Sequence, residues 1–404
     1  MKILSVNKFY YIYGGSDRYF FELNQLHRRA GHEVIPFAMK HPKNLPSPYD
    51  RYFVSQVNFW NNPSLQEKIR AAGRVLYSVE ARRRIRELIE DVKPDIAHIH
   101  LIYHQISPAI LPIIKEYGIP IVQTLHDYKP ICPTYSLVSK GRVCERCRGK
   151  FFYHATLQRC NRGSLPASVL NSIEMYLHHM LRWYDLPDVY ITPSDFMRRK
   201  MIELGMPPEK FVHIPNFVDP QKHPYSTDFG DYFVYVGRLV PIKGIRTLLL
   251  AMKQVDEARL LIIGDGPQRE ELEEFTTYSR LENVEFLGYQ STEILLGLMS
   301  RARFSVLPSE CYENCPMSVL ESMAMGKPVI GARIGGIPEL ISHSEDGMLF
   351  ESGNVDDLAD KIDYMLTDPQ RCQEMGMRAR EKVVVHYNPK AHHRQILAVY
   401  QQLL

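Results

Sequence analysis

Short apolar runs alternate with segments whose apolar residues recur every three or four positions, and this alternation repeats along almost the whole chain. The first run, Lys2 to Val6, leads through a Gly-containing loop (YYIYGGSDR) into RYFFELNQLHRRAGHEV, where helical spacing stops at Gly31 before the next strand-like run. The same order returns in RRIRELIEDVKPDIAHIH, in ILPIIKEYGIPIVQTLHD and in DVYITPSDFMRRKMIELGMPPEKFVHIPN. Such alternation predicts βαβ units and a mainly parallel sheet. A Pro- and polar-rich stretch at 217–231, FVDPQKHPYSTDFGD, interrupts it and reads as an interdomain linker. A second series then begins, with FVYVGRL, RLLIIGDG, VEFLG, ARFSVLPS and KPVIGA as strand-length runs closed by Gly- or Pro-marked turns. The expected architecture is α/β, with two Rossmann-like doubly wound domains facing across a cleft. They are placed at 1–217, with a Cys-containing insert at 128–162, and at 218–385, followed by a C-terminal helix at 386–404 that packs back on the first domain. Ligands of such sheets bind at the carboxyl ends of the strands, so chemistry is expected at strand ends along the cleft.

Composition changes this picture little and charge changes it more. A chain of 404 residues with 45% hydrophobic and 24% charged residues is ordinary for a globular protein and long enough for two cores. No uncharged apolar stretch reaches membrane-spanning length and the N-terminus has no leader pattern, so a cytoplasmic protein is expected. Residues 1–190 carry 26 Lys+Arg against 16 Asp+Glu, a net +10; the remainder carries 23 against 30, a net −7. A basic first half suits anionic lipid at the inner face of a membrane or a phosphorylated acceptor, and no nucleic-acid partner is expected.

The densest chemistry lies in PSECYENCPMSVLESMAMGKPVIGARIGGIPELI, where Glu313 and Glu321 stand eight residues apart around a helix start marked by Pro316, and Gly326 marks its stop. Glu313 then lies in the loop before the helix and Glu321 on its second turn. The first-turn N–H groups, near Cys315, Met317 and Ser318, attract phosphate, while the carboxylates accept hydrogen bonds from sugar hydroxyls. Arg238 and Lys243, in YVGRLVPIKGIRTLLLAM, fall in a strand-to-helix loop, where two cations can neutralise a departing diphosphate. Gly264 and Gly266 in GDGP, and Tyr289 in LGYQ, end the next two strands.

These segments resemble the E-x7-E and G-R-x5-K-G signatures of family 4 glycosyltransferases, retaining enzymes of the GT-B fold. The resemblance covers most of the chain. It implies that Glu313 contacts the transferred sugar, Glu321 the ribose, and Arg238 and Lys243 the donor's β-phosphate, with Gly264, Gly266, Tyr289, Cys315, Met317 and Ser318 lining the donor site. It also implies that Gly14 and Gly15, with Asp17 beside them, form the acceptor-side loop, and that His126, at the end of IVQTLHD, sits near the sugar. The activity so implied moves a hexose-type sugar from a nucleoside diphosphate of the UDP or GDP type to a saccharide or lipid-linked acceptor, in surface polysaccharide or glycolipid synthesis.

Other classes fit less well. A dinucleotide-dependent oxidoreductase would carry G-x-G-x-x-G after the first strand, where this chain has Gly14-Gly15 instead. A GT-B epimerase has no need of the full Glu313, Glu321, Arg238 and Lys243 set, and a nucleotide-sugar-binding protein without turnover need not keep it. No Asp-x-Asp pair ends a strand, so transfer is expected to need no cofactor and to persist without divalent metal. The insert holds Cys132, Cys144, Cys147 and Cys160, a spacing compatible with a structural zinc first, then with free thiols, and last with a disulfide or an iron–sulfur cluster. After it, ASVLNSIEMYLHHMLRWYDL predicts an amphipathic helix that packs on the core or lies on a bilayer.

Overall fold

A computed structural model of the chain describes residues 1–57, 64–227, 229–255 and 258–404. Strands β1 (Lys2–Val6), β2 (Glu33–Phe37), β3 (Ile96–Ile99) and β4 (Ile121–Thr124) come first. A two-stranded ribbon follows, β5 (Val138–Ser139) with β6 (Arg142–Val143), and then β7 (Val189–Thr192) and β8 (Phe211–His213). Apart from the ribbon, these strands form one parallel sheet in the order β2-β1-β3-β4-β7-β8. The second sheet, also parallel, has the order β11-β10-β9-β12-β13-β14. It is made of β9 (Tyr232–Val236), β10 (Arg259–Ile263), β11 (Val284–Gly288), β12 (Ser305–Leu307), β13 (Val329–Ala332) and β14 (Gly347–Phe350). The strand patterns of the sequence account for all of these except the ribbon and β14, whose four residues, GMLF, are too few to show a period.

Both sheets are covered by helices, so their central strands are buried on both faces and read as continuous apolar runs. Ile3, Leu4 and Val6 of β1 and Leu260 and Ile262 of β10 are fully or almost fully buried. In each sheet the strand order reverses once, between β1 and β3 in the first and between β9 and β12 in the second. Such reversals open a crevice beyond the strand ends, because the following helices turn to opposite faces. The loops after β1, β3, β9 and β12 are therefore where ligand chemistry is placed by topology alone.

The last helix, Pro389–Leu403, lies on the first sheet's side of the molecule. Its Ile396, Val399 and Tyr400 pack with Tyr19, Leu23 and Ile96. The Tyr400 hydroxyl reaches His98 Nδ1 and, at 3.3 Å, His27 Nε2. His392 donates from Nδ1 to the Pro215 carbonyl at 2.8 Å, so its Nε2 accepts from the Tyr19 hydroxyl at 3.0 Å. Among the described residues no helix is long and apolar enough to cross a membrane.

Candidate functional site

The site assembles at the two reversal points. On the second sheet, the β9 chain end runs into a turn, Pro241–Lys243, closed by Gly244 at φ 67°. A Cβ on Gly244 would stand 1.8 Å from the Pro308 carbonyl oxygen, so only glycine lets this loop lie against the one after β12. That contact carries Lys243 to Glu313, with which it forms an ion pair. Ser309 also donates to Glu313 Oε1, at 2.6 Å. Burial works against the Glu313 charge, but Lys243, Ser309 and Arg238 outweigh it and hold the carboxyl below its ordinary value. Burial likewise opposes the Lys243 charge, and Glu313 more than restores it. Glu313 therefore stays an acceptor for hydroxyl groups, and Lys243 stays a cation. Arg238 is exposed in the same loop, close enough for its charge to act on Glu313 and on Lys8 of the first domain.

The helix after Glu313 is Met317–Ala324, with Pro316 at its N-cap. Met317 and Ser318 are half-buried in its first turn, and Glu321 follows in the second. The Glu321 carboxylate pairs with Arg18 of the other domain. Gly15 faces the same turn, since a Cβ there would meet Met317 Cγ at 3.5 Å. The expected acceptor-side glycines and the expected donor-side helix are thus brought face to face. The loops after β10 and β11 are tied to each other and to the loop after β9 by backbone bonds: Gly264 N–H donates to the Gly288 carbonyl at 2.9 Å and Leu239 N–H to the Asp265 carbonyl at 3.0 Å. Tyr289 stands 85% exposed at that rim, and Gly266 packs under Leu239.

Two residues assigned from the resemblance do other work. The Cys315 side chain is buried in the second domain's apolar core, where burial pushes its thiol up to about 12, and only its carbonyl is engaged, accepting from Asn216 Nδ2 at 2.8 Å. Asp17 is 2% exposed and accepts from the Gly14 and Tyr13 N–H groups, at 3.0 and 3.3 Å, and from Asn7 Nδ2 at 2.9 Å. It shapes the glycine loop from below and presents no free oxygen to an acceptor. A helix-start aspartate gives the same sequence signal in either role.

On the first sheet, His126 follows β4 and lies edge to face with Tyr19, the ring centres 5.2 Å apart. His126 Nε2 meets His100 Nδ1 at 3.1 Å, and the two rings stack. Burial lowers the His126 pKa to about 3, so the ring is neutral across the physiological range and can hydrogen-bond to a sugar but not charge-pair with it. Asp127, raised by burial against the pull of Lys129 N–H and Lys8, stands just before the insert. The residues that sequence reading passed over here are Lys8, Arg18 and His100. Lys8 stands two residues after β1 and could have been found by its place at a strand end; Arg18 and His100 gave no local signal.

Further bonds fasten the two domains together. Asn314 accepts from Ser194 at 2.7 Å and donates to the Leu125 carbonyl at 3.1 Å. Glu339 of GGIPEL accepts the first-turn amides of helix Asp195–Glu203, including Asp195 N–H at 2.8 Å. Gly336 of the same segment permits this, for a Cβ there would lie 2.0 Å from the Asn314 carbonyl oxygen.

The four insert cysteines form no disulfide and share one neighbourhood. Burial first, then the other three sulfurs, push Cys147 up to about 12. Cys132 Sγ lies 3.6 Å from Thr134 Oγ1, and Cys160 Sγ donates to Ser139 Oγ at 3.6 Å. Among the described residues no three Cys, His, Asp or Glu side chains group closely enough to hold a metal ion.

The family described as "Glycosyltransferase Family 4" matches residues 13–222, and "Glycosyl transferases group 1" matches residues 223–382. N-acetyl-alpha-D-glucosaminyl L-malate synthase of Bacillus anthracis is 28% identical over 250 residues, 56% of this chain and 63% of that protein. The chain spans 43, 63 and 57% of the length of the first curated relatives it matches. Sucrose-phosphate synthase from Thermosynechococcus elongatus superposes with a TM-score of 0.76 at 19% identity, over 100% of this chain and 98% of that one. Anabaena HepE in complex with UDP superposes with a TM-score of 0.70 at 17% identity, over 100% of both chains. The first match alone spans more than half of the chain, and the two parallel sheets are arranged as in these structures, so the chain belongs to glycosyltransferase family 4 and has the GT-B fold.

Proposed function

We propose that the protein is a retaining glycosyltransferase that moves a hexose-type sugar from a UDP- or GDP-linked donor to a saccharide or lipid-linked acceptor in surface polysaccharide or glycolipid synthesis. The observation that carries this reading is the Lys243–Glu313 pair at the second reversal point, with Arg238 in the same loop and Glu321 in the second turn of the adjoining helix. In transfer, the bond between the sugar's anomeric carbon and the β-phosphate oxygen breaks while the acceptor oxygen bonds to that carbon on the same face. The acceptor's proton passes to the departing phosphate oxygen, and the nucleoside diphosphate leaves. Arg238 and Lys243 stabilise the charge that grows on the phosphate, Glu313 and His126 orient the sugar, and Glu321 takes the ribose hydroxyls in place of Arg18. Nothing in this sequence of steps calls for a metal or cofactor. The UDP alternative is supported by HepE, which was crystallised with UDP-glucose.

Thermal stabilisation by UDP-, GDP- and ADP-sugars, with NAD and NADP alongside, tests the reading. One nucleotide sugar is expected to raise the melting temperature, and Glu321→Ala to weaken its binding by about 10- to 100-fold, the worth of a charged hydrogen bond. A shift given only by NAD or NADP would overturn the transferase reading. The zinc expectation for the insert is settled separately by metal analysis of protein purified without chelators. About one zinc per chain would mean that the four sulfurs close on an ion, and none would leave them as free thiols.

A further inference from the structure

Helix Leu165–Met180 is built inside out. Its exposed positions are Leu165, Pro166, Val169, Ile173, Tyr176 and Met180, all apolar or aromatic. Leaving out Pro166, they fall within an arc of about 80° of the helix surface. Its buried positions include Ser168, Asn171, Ser172, Glu174 and His178. Glu174 is the helix's one charged residue, and it points inward.

The inward polar groups are spent on holding the insert and the loop that begins at His126. Glu174 pairs with Lys129 at 2.6 Å, and both side chains are fully buried. Asn171 Nδ2 donates to the Pro133 carbonyl at 3.3 Å, His179 Nε2 to the Pro130 carbonyl at 2.9 Å, and Ser172 Oγ to the Phe152 carbonyl at 2.9 Å. The apolar side has no such work in the fold. It is extended by Phe151, Tyr153 and Leu157, of which Leu157 is 67% exposed, and the Tyr153 N–H donates to the Tyr176 hydroxyl at 3.2 Å. Cations border it: Lys150 stands directly before Phe151, and Arg159 stands two residues after Leu157. Apart from the buried Lys129, the insert, 128–162, carries seven Lys and Arg residues against a single acidic one, Glu145.

We infer that this face docks on an anionic lipid bilayer, with the apolar arc entering the headgroup boundary and the insert's cations meeting lipid phosphates. Apolar residues flanked by Lys and Arg are the pattern of a helix lying in an interface. The same charge disfavours a second copy as occupant, because a two-fold contact would set one basic rim against another. Docking fixes the helix, and through Lys129 and Glu174 the His126 loop, at the membrane surface. Resting on the transferase reading, this selects the lipid-linked acceptor over a free saccharide.

Flotation of the full chain with vesicles tests it independently of donor chemistry. The protein is expected to float with vesicles of phosphatidylglycerol and phosphatidylcholine in equal parts, and to float far less with phosphatidylcholine alone. Ile173→Glu together with Met180→Glu should lower partitioning by about 10-fold or more while melting temperature and nucleotide-sugar binding stay unchanged. No flotation of the unaltered chain, or equal flotation of the double variant, would overturn docking through this face. Equal flotation on both vesicle types would overturn the anionic preference. A dimer that the double substitution dissociates, without vesicle binding, would make the face a contact between copies. If docking holds while no nucleotide sugar binds, the membrane inference survives and the acceptor assignment falls with the transferase reading.

Discussion

Between pH 6.5 and pH 5 the protein is expected to lose several kcal/mol of stability, more than its carboxylates would cause. His27 and His98 are buried under the last helix and His392 on its inner face, and burial lowers their pKa values to about 2, 3 and 3 from an ordinary 6.5. In the native state they stay neutral down to those values, whereas in the unfolded chain each takes up a proton below 6.5. The stability they contribute is fully present above pH 6.5 and declines as pH falls toward their native values. The loss at pH 5 depends only on the unfolded value, and at about 1.4 kcal/mol per unit it comes to about 2 kcal/mol each, or about 6 kcal/mol for the three. Asp17 and Asp127, raised by burial, work in the opposite direction and reduce the net figure. For a protein with a typical stability of about 5–15 kcal/mol this is a large fraction. Urea melts at pH 7.5, 6 and 5 check it, and His98→Asn should remove about one proton from the pH slope. A midpoint that does not move over this range would show that the native state binds these protons after all.

Replacing Lys243 with methionine is expected to lower kcat by about 100- to 1000-fold, the usual cost of removing one group that stabilises developing charge. The same change leaves the Glu313 carboxylate largely buried with Ser309 and the more distant Arg238 charge, so stability falls as well. The two effects separate in the double variant with Glu313→Gln, which removes the unpaired charge. Melting temperature should recover toward the starting value while kcat stays low. A single variant that keeps kcat within tenfold would remove Lys243 from the phosphate site. Recovery of kcat along with melting temperature in the double variant would reduce the pair to a structural role.

Much of the site's donor half was legible in the chain because its parts are close in sequence. Glu313 and Glu321 are joined by a loop and a helix whose start at Pro316 and stop at Gly326 can be read from single residues, so their placement around one helix end follows from local geometry. Arg238 and Lys243 share one strand-to-helix loop for the same reason. The partners of these groups could not be read in that way. Arg18 meets Glu321 across 303 residues, and His100 backs His126 because β3 lies beside β4 in the sheet order. Cys315 stands among donor-site residues in sequence, yet the loop before the helix turns its thiol into the core.

By itself the sequence determined the alternation of strands and helices, the division into two parallel sheets and the position of the strand-end loops. These depend on backbone periodicity and on turn residues, which act over a few positions. Only the tertiary structure decided which face of each element met a partner. Helix Leu165–Met180 shows this most clearly, since its period reveals an apolar arc and a polar arc but not which of them faces outward. That was decided by Lys129, which lies 45 residues before Glu174 and draws the polar arc inward, because a buried charge is tolerable only where its counter-charge is buried with it.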